Sequence, residues 1–298
     1  MEKIKPKYPI YIPSKGRYNN CLTAKFLIKD QVDFYLVIEP QEKKYYEKEY
    51  KKYLLLLPWN NHKDENGNPD GLIAARNWIK QDSIKRGYKR HWQLDDNSRA
   101  IYRYYKGKRI RCNAGVAIRA VEDFVDRYEN IAIAGMNYDF FAPPGLPPFY
   151  LNNHVYSCSL ILNEIPHKWR LRYNDDTDIC LQVLADGWCT VLINAFLIKK
   201  AHTMTLKGGN TDNLYQGDGR LKMARSLERM WPGVVETKRR FKRPQHVIKN
   251  QWGKFDTPLK LRKDIDLKKL PKVDEYGMEL KQVKEIKSER LKRLIENP

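Results

Sequence analysis

The sequence predicts an α/β fold in which a mainly parallel sheet is flanked by helices and followed by a basic C-terminal appendage. Short apolar runs alternate with segments that carry apolar residues at helical spacing over roughly the first hundred residues. The chain has 298 residues, 42% of them hydrophobic, which suffices for a sizeable core. From about residue 238 the composition shifts to dense Lys and Arg. We therefore predict a main domain at 1–237 and a basic extension at 238–298.

Each predicted element follows from its local pattern, because strands need short apolar runs and helices need apolar residues three or four positions apart. In chain order the predictions are a strand at 8–12, a helix at 21–31, a strand at 34–38, a helix at 42–53, a strand at 54–57, a helix at 72–86, strands at 91–94, 131–134 and 156–162, a helix at 176–186, strands at 190–193 and 196–198, and a basic helix at 280–295. This alternation favours parallel strands with ligands at their carboxyl ends. Three such ends, at 13–17, 39–40 and 95–96, should converge.

The charge of the chain indicates an anionic partner. Its net charge is +20 and its pI about 9.6, so nucleic acid, anionic lipid and nucleotides are candidates, whereas a Lys-rich surface can also serve solubility alone. Residues 102–111 interleave aromatic and basic side chains. That pattern suits phosphate contact with base stacking, although an exposed β-hairpin has the same composition.

Several classes of protein are disfavoured by composition. The five cysteines form no CxxC pair and are odd in number, which argues against a zinc knuckle or a complete disulfide framework. A reducing, cytoplasmic setting fits best. No stretch approaches the roughly 18 uninterrupted apolar residues of a membrane span, and the basic amino terminus lacks a long apolar region. We therefore expect a soluble protein without a membrane partner.

The pair Asp95 and Asp96 closes the apolar run at 91–94. Two carboxylates at a strand end form a ligand set for Mg²⁺ or Mn²⁺, which prefer oxygen and keep water or substrate phosphate in their shell. The alternative is a turn or a helix cap, since Asp and Asn favour such positions.

Further polar residues follow other predicted elements. Arg76 lies on a largely apolar helix, which favours an ion pair or a phosphate contact over a solvated side chain. The acidic cluster at 175–178 opens a helix; capping explains one carboxylate, and another is suited to act as a general base. His202 is either a metal ligand or structural, and the Lys-Gly-Gly sequence at 207–209 is typical of a loop that covers phosphate.

In this order the motifs resemble those of GT-A glycosyltransferases. The resemblance covers residues 8–211 and rests on Ile-Pro-Ser-Lys-Gly-Arg at 12–17, Ala-Arg-Asn at 75–77, a DxD-like Leu-Asp-Asp-Asn at 94–97, Trp-Arg-Leu-Arg-Tyr-Asn-Asp-Asp-Thr-Asp at 169–178 and Gly-Trp-Cys at 187–189. More narrowly, the chain resembles the phage TET-associated glycosyltransferases, which are thought to glycosylate hydroxymethylated pyrimidines such as 5-hydroxymethylcytosine in DNA. The resemblance implies a Rossmann-like GT-A domain at 1–237.

The resemblance also implies an activity: a metal-dependent, inverting transfer of a sugar from a nucleotide-sugar, in the first instance a UDP-sugar, to the hydroxyl of such a base. It assigns donor contacts to Pro13, Ser14, Arg17, Glu39, Arg76, Asp95 and Lys207, the Mn²⁺ or Mg²⁺ ion to Asp96 and His202, and catalysis to Asp176 with Asp175. Asn97 departs from the family pattern, because the third position of DxD is often Asp. The resemblance implies that the protein is located in the cytoplasm, which is the cytoplasm of the host if a bacteriophage encodes the chain.

Other functions share the same features. A metal-dependent nuclease or nucleotidyltransferase also combines carboxylates with positive charge. A degenerate scaffold that only binds nucleic acid is a further alternative, and a glycosyltransferase can instead use a glycan, lipid-linked or protein acceptor. If the target is a base within a duplex, it must leave the stack, and the Pro-rich loop at 140–149 is a place for a wedge or acceptor wall.

Overall fold

The computed structural model describes residues 4–67, 69–70, 72–201, 219–240 and 243–279. Its strands are β1 Ile10–Pro13, β2 Tyr35–Ile38, β3 Leu54–Leu56, β4 Arg90–Leu94, β5 Ser98–Tyr105, β6 Lys108–Cys112, β7 Ile131–Tyr138, β8 Phe149–Leu151, β9 Cys158–Leu162, β10 Cys189–Lys200, β11 Val235–Arg240 and β12 Arg243–Ile248. The α-helices are α1 Leu22–Lys29, α2 Lys43–Tyr50, α3 Ile73–Lys85, α4 Ala114–Val125, α5 Asp175–Ala185 and α6 Gly219–Met230. Short 3₁₀ helices include Asp139–Phe141 and Lys249–Trp252.

One large sheet dominates the described residues, in the order β3-β2-β1-β4-β9-β7-β10-β5-β6, with β8 also paired to β10. The pairs β1–β2, β2–β3, β1–β4 and β7–β10 are parallel, whereas β9, β5, β6 and β8 pair antiparallel to their neighbours. The predicted α/β class is confirmed, and the predicted elements of the first hundred residues are present with small shifts in their bounds.

The strand directions bring several chain segments to one edge of the sheet. The carboxyl ends of β1, β2 and β4 lie there because these strands are parallel. Strand β9 runs antiparallel between β4 and β7, so the ends of β7 and β10 and the segment before β9 reach the same edge. The predicted convergence at 13–17, 39–40 and 95–96 is therefore present, with further residues beside it.

A close approach between β7 and β9 requires glycine. A Cβ at Gly135 would lie 2.2 Å from the carbonyl oxygen of Cys158 and 2.5 Å from Cγ1 of Val155, so any larger side chain would displace backbone. The glycine therefore allows Val155 and Cys158 to pack directly against β7.

Helix α4 was absent from the sequence-based predictions. Asn113 caps it by accepting a hydrogen bond from the backbone N of Gly115 at 2.9 Å. Its buried residues Ala117, Ile118, Val121 and Val125 join the main core cluster, which also contains Trp92. The three- and four-residue spacing of these side chains buries one face of the helix against the core.

The described part of the C-terminal region packs on the main domain. Leu227 of α6 and Val235 of β11 share a core cluster with Leu181 of α5. Further along, Asn130 donates to the carbonyl of Pro258 at 2.8 Å and Arg103 to that of Tyr276 at 3.0 Å.

The domain boundary expected at 237/238 falls inside β11 and stays a prediction. The basic helix expected at 280–295 lies outside the described residues. Across the described ranges, no helix has the length and apolar character to span a membrane.

Candidate active site

Two strand ends meet in a polar cluster at the carboxyl edge. Ser14, directly after β1, donates from Oγ to Oδ2 of Asp96 at 2.7 Å, and its Oγ lies 2.9 Å from the Tyr46 hydroxyl. Arg17 forms an ion pair with Oδ1 of Asp96. Burial raises the pKa of Asp96, although Arg17 and Ser14 act to lower it. The side chain of Asp96 is thus directed toward the turn after β1.

Glu39 lies at the end of the neighbouring strand β2. Its Oε2 pairs with Nζ of Lys15 at 2.6 Å and accepts a hydrogen bond from Gln41 at 2.6 Å. Burial alone would raise the pKa of Glu39, but Lys15 and Gln41 lower it below its ordinary value. The structure thus brings Ser14, Arg17 and Glu39 together with Pro13, the last residue of β1. Their contact with a nucleoside stays a prediction.

Asp95 is directed into a second cluster. Its Oδ1 lies 3.2 Å from Nη2 of Arg76, and its Oδ2 accepts a hydrogen bond from Nζ of Lys200 at 2.8 Å. Burial alone would raise the pKa of Asp95, but Lys200 and then Arg76 hold it below its ordinary value. Lys200 also donates to Oγ of Ser157 at 2.8 Å and to the Tyr138 hydroxyl at 3.2 Å.

Arg76 connects the acidic strand end to the start of α5. Its side chain is only 8% exposed; Nε lies 2.7 Å from Oδ2 of Asp175, and Nη1 donates to Oε1 of Gln93 at 3.1 Å. Burial, together with the negative charges of Asp176 and Asp95, raises the pKa of Asp175 to about 6 in spite of Arg76. The guanidinium thus compensates two carboxylates. Its predicted contact with diphosphate stays a prediction.

Asp176 lies in the first turn of α5, where the helix dipole favours negative charge. Its Oδ2 lies 3.2 Å from Nε2 of His154, and its Oδ1 accepts a hydrogen bond from the backbone N of Thr177 at 2.8 Å. Burial alone would raise the pKa of Asp176, but His154 and Arg76 hold it well below its usual range. This carboxylate is therefore ionised at neutral pH, which a general base requires.

Asp178, the third acidic residue of the same turn, does not face this cluster. Its carboxylate is fully buried, accepts two hydrogen bonds from Arg170 at 3.0 and 3.1 Å, and accepts another from Nε1 of Trp231 at 2.7 Å. Such complete pairing indicates a structural role that fixes the helix against α6 and β11.

The oxygen atoms near β4 are ligands of the kind that a hard divalent cation prefers. Asp95 and Asp96 supply carboxylate oxygens, and Oδ1 of Asn97 is buried with no hydrogen-bond partner among the described residues. The backbone N of Ala201 donates to the Asn97 carbonyl at 3.0 Å, so the end of β10 lies beside this motif. His202 and Lys207 lie outside the described residues. Over the described ranges alone, no group of three or more His, Cys, Asp or Glu forms a complete metal site.

Comparison with known proteins identifies the family. A family model described as TET-associated glycosyltransferase matches residues 8–209, well over half of the chain. The chain belongs to this family. Among solved structures, the fold is similar to GalNAc-T7 crystallised with UDP, GalNAc and Mn²⁺, at 10% sequence identity and a TM-score of 0.43. That similarity covers 68% of this chain and 45% of the other. A comparison with curated proteins gives no match.

Two polar residues of this TET-associated glycosyltransferase were not predicted as site residues. Lys200 ends β10 and contacts Asp95, while His154 precedes β9 and contacts Asp176. The predicted strand at 196–198 placed Lys200 near a strand end, so its position could have indicated the site. His154 carried no such signal, because only the reversed direction of β9 brings it to this edge.

Proposed function

We propose that this TET-associated glycosyltransferase transfers a sugar from a nucleotide-sugar to the hydroxyl of a hydroxymethylated pyrimidine base in DNA, with inversion at the anomeric carbon. The observation that carries the proposal is Asp176, an ionised carboxylate held between His154 and Arg76. It lies beside a strand end whose Asp95 is paired with two cations, Arg76 and Lys200. Family membership supplies the reaction class.

The donor would occupy the carboxyl edge of β1, β2 and β4. The turn suited to the nucleoside is lined by Pro13, Ser14, Arg17 and Glu39. The ribose would contact Asp95. Lys200, which shares the carboxylate of Asp95 with Arg76, would face the diphosphate with Arg76 and Lys207. Burial alone would lower the pKa of Lys200, but Asp95 and Tyr138 raise it, so the ammonium stays charged.

The chemical step needs a base and a stabilised leaving group. The acceptor oxygen attacks the anomeric carbon, the bond between that carbon and the diphosphate oxygen breaks, and the hydroxyl proton passes to Asp176. Lys200 and Arg76 stabilise the negative charge that develops on the diphosphate. Mn²⁺ or Mg²⁺, which Asp96 and His202 would hold, would add charge stabilisation there when bound.

The charges of the described chain favour DNA as the acceptor. Residues 105–111 of the β5–β6 hairpin are exposed and include Lys106, Lys108, Arg109 and Arg111 without an acidic residue. A nuclease or nucleotidyltransferase with two metal ions would also need several carboxylates at this edge. Family membership favours the transferase over these alternatives.

The proposal is tested by nucleotide release. The protein is incubated with a panel of nucleotide-sugars and Mn²⁺ or Mg²⁺, with duplex DNA that contains 5-hydroxymethylcytosine or unmodified cytosine, and free nucleoside diphosphate is measured. We expect release that the hydroxymethylated DNA stimulates and that a chelator abolishes. Fragmentation of DNA without sugar transfer would establish the nuclease instead, and stimulation by a glycan but not DNA would reassign the acceptor.

His154 should control the pH dependence of the reaction. Because its charge favours ionised Asp176, His154→Gln should raise the pKa of Asp176 and move the acidic limb of the kcat/KM profile to higher pH. The matched control is His167→Gln, which removes a histidine 2.7 Å from Asp186 at the other end of α5. An acidic limb at the same pH in both variants would remove His154 from the site.

A further inference from the structure

A row of aromatic rings runs from the carboxylate cluster to the protein surface. We call it the aromatic row, and it consists of Tyr138, Phe140, Phe141, His154, Tyr156 and Trp252. Ring centroids are 4.7 Å apart for Tyr138 and Tyr156, which are stacked, and 4.4 Å apart for His154 and Tyr156. Phe140 stacks on Tyr138 at 5.0 Å.

The inner end of this row borders the proposed base. His154 contacts Asp176 directly, and Tyr156 lines the same small cavity as Asp176, Arg76 and Trp169. Tyr138 accepts a hydrogen bond from Lys200, which binds Asp95. The aromatic row therefore contacts Asp176 directly and is linked to Asp95 through Lys200.

The outer end of the row is exposed. Phe140 is 50% and Phe141 41% accessible, and both follow β7 within one short 3₁₀ helix. Their ring centroids are 4.4 Å apart and the ring planes are inclined by 65°, so they form an angled apolar surface. Adjacent exposed aromatic rings beside a reaction centre suit a partner with a flat apolar face.

The basic β5–β6 hairpin packs against the loop that carries these phenylalanines. Arg109 donates to the carbonyls of Asp139 and Ala142, each at 2.8 Å, and the Tyr104 hydroxyl donates to the carbonyl of Pro143 at 2.8 Å. Lys106 has φ 47° and Gly107 φ 76°, as a two-residue hairpin turn requires. This surface is complementary in charge to a phosphate backbone next to a stacked base.

We propose that the outer part of the aromatic row is the acceptor subsite, where one pyrimidine base extruded from a DNA strand stacks on Phe140 and Phe141. Its exocyclic hydroxymethyl group is then directed along Tyr156 toward Asp176. The hairpin binds the flanking phosphates through Lys106 and Lys108, whereas the guanidinium of Arg111 is held by Asp30 at 2.7 Å. This inference rests on the proposed function for the identity of the base and of its reacting hydroxyl.

The test compares binding to two DNA duplexes that differ at one position. Each carries a fluorophore and holds either 5-hydroxymethylcytosine or an abasic site, and fluorescence anisotropy gives the Kd at fixed salt. Wild-type protein should bind the duplex with 5-hydroxymethylcytosine more tightly. The double variant Phe140→Ala/Phe141→Ala should lose about ten-fold or more of that preference, because the stacking of a base on an aromatic ring contributes substantially to affinity whatever the base. The control is Tyr88→Ala, an exposed aromatic before β4, at the opposite edge of the sheet.

The outcomes separate this inference from the proposed function. Equal preference in wild type and the double variant overturns the subsite, even when sugar transfer to DNA occurs. Loss of preference in the variant, with donor hydrolysis in the absence of DNA unchanged, supports the subsite whether or not transfer is detected. Absence of DNA binding by the wild-type protein also overturns it, while donor hydrolysis would then still identify a glycosyltransferase.

The contribution of the hairpin is measured separately by salt dependence. Lys106→Ala/Lys108→Ala should reduce the magnitude of the slope of log Kd against log salt by about one to two, as expected for two lost phosphate contacts. Lys85→Ala/Lys89→Ala is the matched control, because both residues are exposed and lie near the amino end of β4. An equal reduction in both variants would assign the effect to net charge and overturn the role of the hairpin.

Discussion

Replacing Asp176 with Asn is expected to lower kcat about 10²- to 10⁴-fold, while the Kd for the nucleotide-sugar changes less than about two-fold. The amide keeps the shape of the side chain but cannot accept the proton from the acceptor hydroxyl. The measurement is single-turnover sugar transfer with saturating donor, combined with calorimetric donor titration.

The control for this variant lies on the same helix. Asp186→Asn removes a largely exposed carboxylate that pairs with His167 at the end of α5, and it should leave kcat unchanged. Normal turnover in Asp176→Asn, with intact donor binding, would show that another group removes the proton. Asp175→Asn is informative beside it: its pKa, raised to about 6, makes Asp175 the stronger base of the two, and its ion pair with the buried Arg76 assigns it to holding the guanidinium instead.

Replacing Arg76 with Met is expected to lower the free energy of unfolding by about 3–5 kcal/mol, because it leaves buried charge without its partner. The guanidinium is buried between Asp95 and Asp175; a methionine fills similar volume but removes the ion pair of Asp175 and leaves Asp95 with Lys200 alone. The measurement is urea unfolding at pH 8, where the carboxyl groups of both aspartates are ionised.

A second arginine on the same helix provides the control. Arg86 pairs with Asp82 at 2.6 Å, four residues earlier, and is partly exposed, so Arg86→Met should cost at most about 1 kcal/mol. Adding Asp175→Asn to Arg76→Met should restore part of the lost stability, since one uncompensated charge is removed. A stability of Arg76→Met equal to that of Arg86→Met would contradict the structural role of the buried pair.

The sequence was most informative where local patterns decide the structure. The alternating apolar runs before residue 95 predicted β1 to β4 and their helices, and parallel pairing then placed Ser14, Glu39 and Asp96 at one edge. Arg76 was predicted on a mostly buried helix with an ion pair or phosphate contact, and it forms ion pairs with Asp95 and Asp175.

The sequence was least informative where long-range topology decides. His154 and Lys200 join the acidic cluster only because β9 is reversed between β4 and β7 and because β10 runs parallel to β7. No local pattern gives strand direction. Likewise, Asp175, Asp176 and Asp178 are nearly identical in sequence context, yet Asp178 faces Arg170 and Trp231 instead of the cleft. Their separate roles depend on which neighbours the fold supplies.

The most direct test of the central claim is the mass of the product nucleoside. DNA with 5-hydroxymethylcytosine, and matched DNA with cytosine, is incubated with the protein, Mn²⁺ and a panel of nucleotide-sugars, then digested to nucleosides and analysed by mass spectrometry. We predict a hexose or pentose increment on the hydroxymethylated nucleoside alone, lost in Asp176→Asn. An unmodified 5-hydroxymethylcytosine nucleoside with every donor, under conditions in which the protein hydrolyses a donor, would contradict DNA as the acceptor.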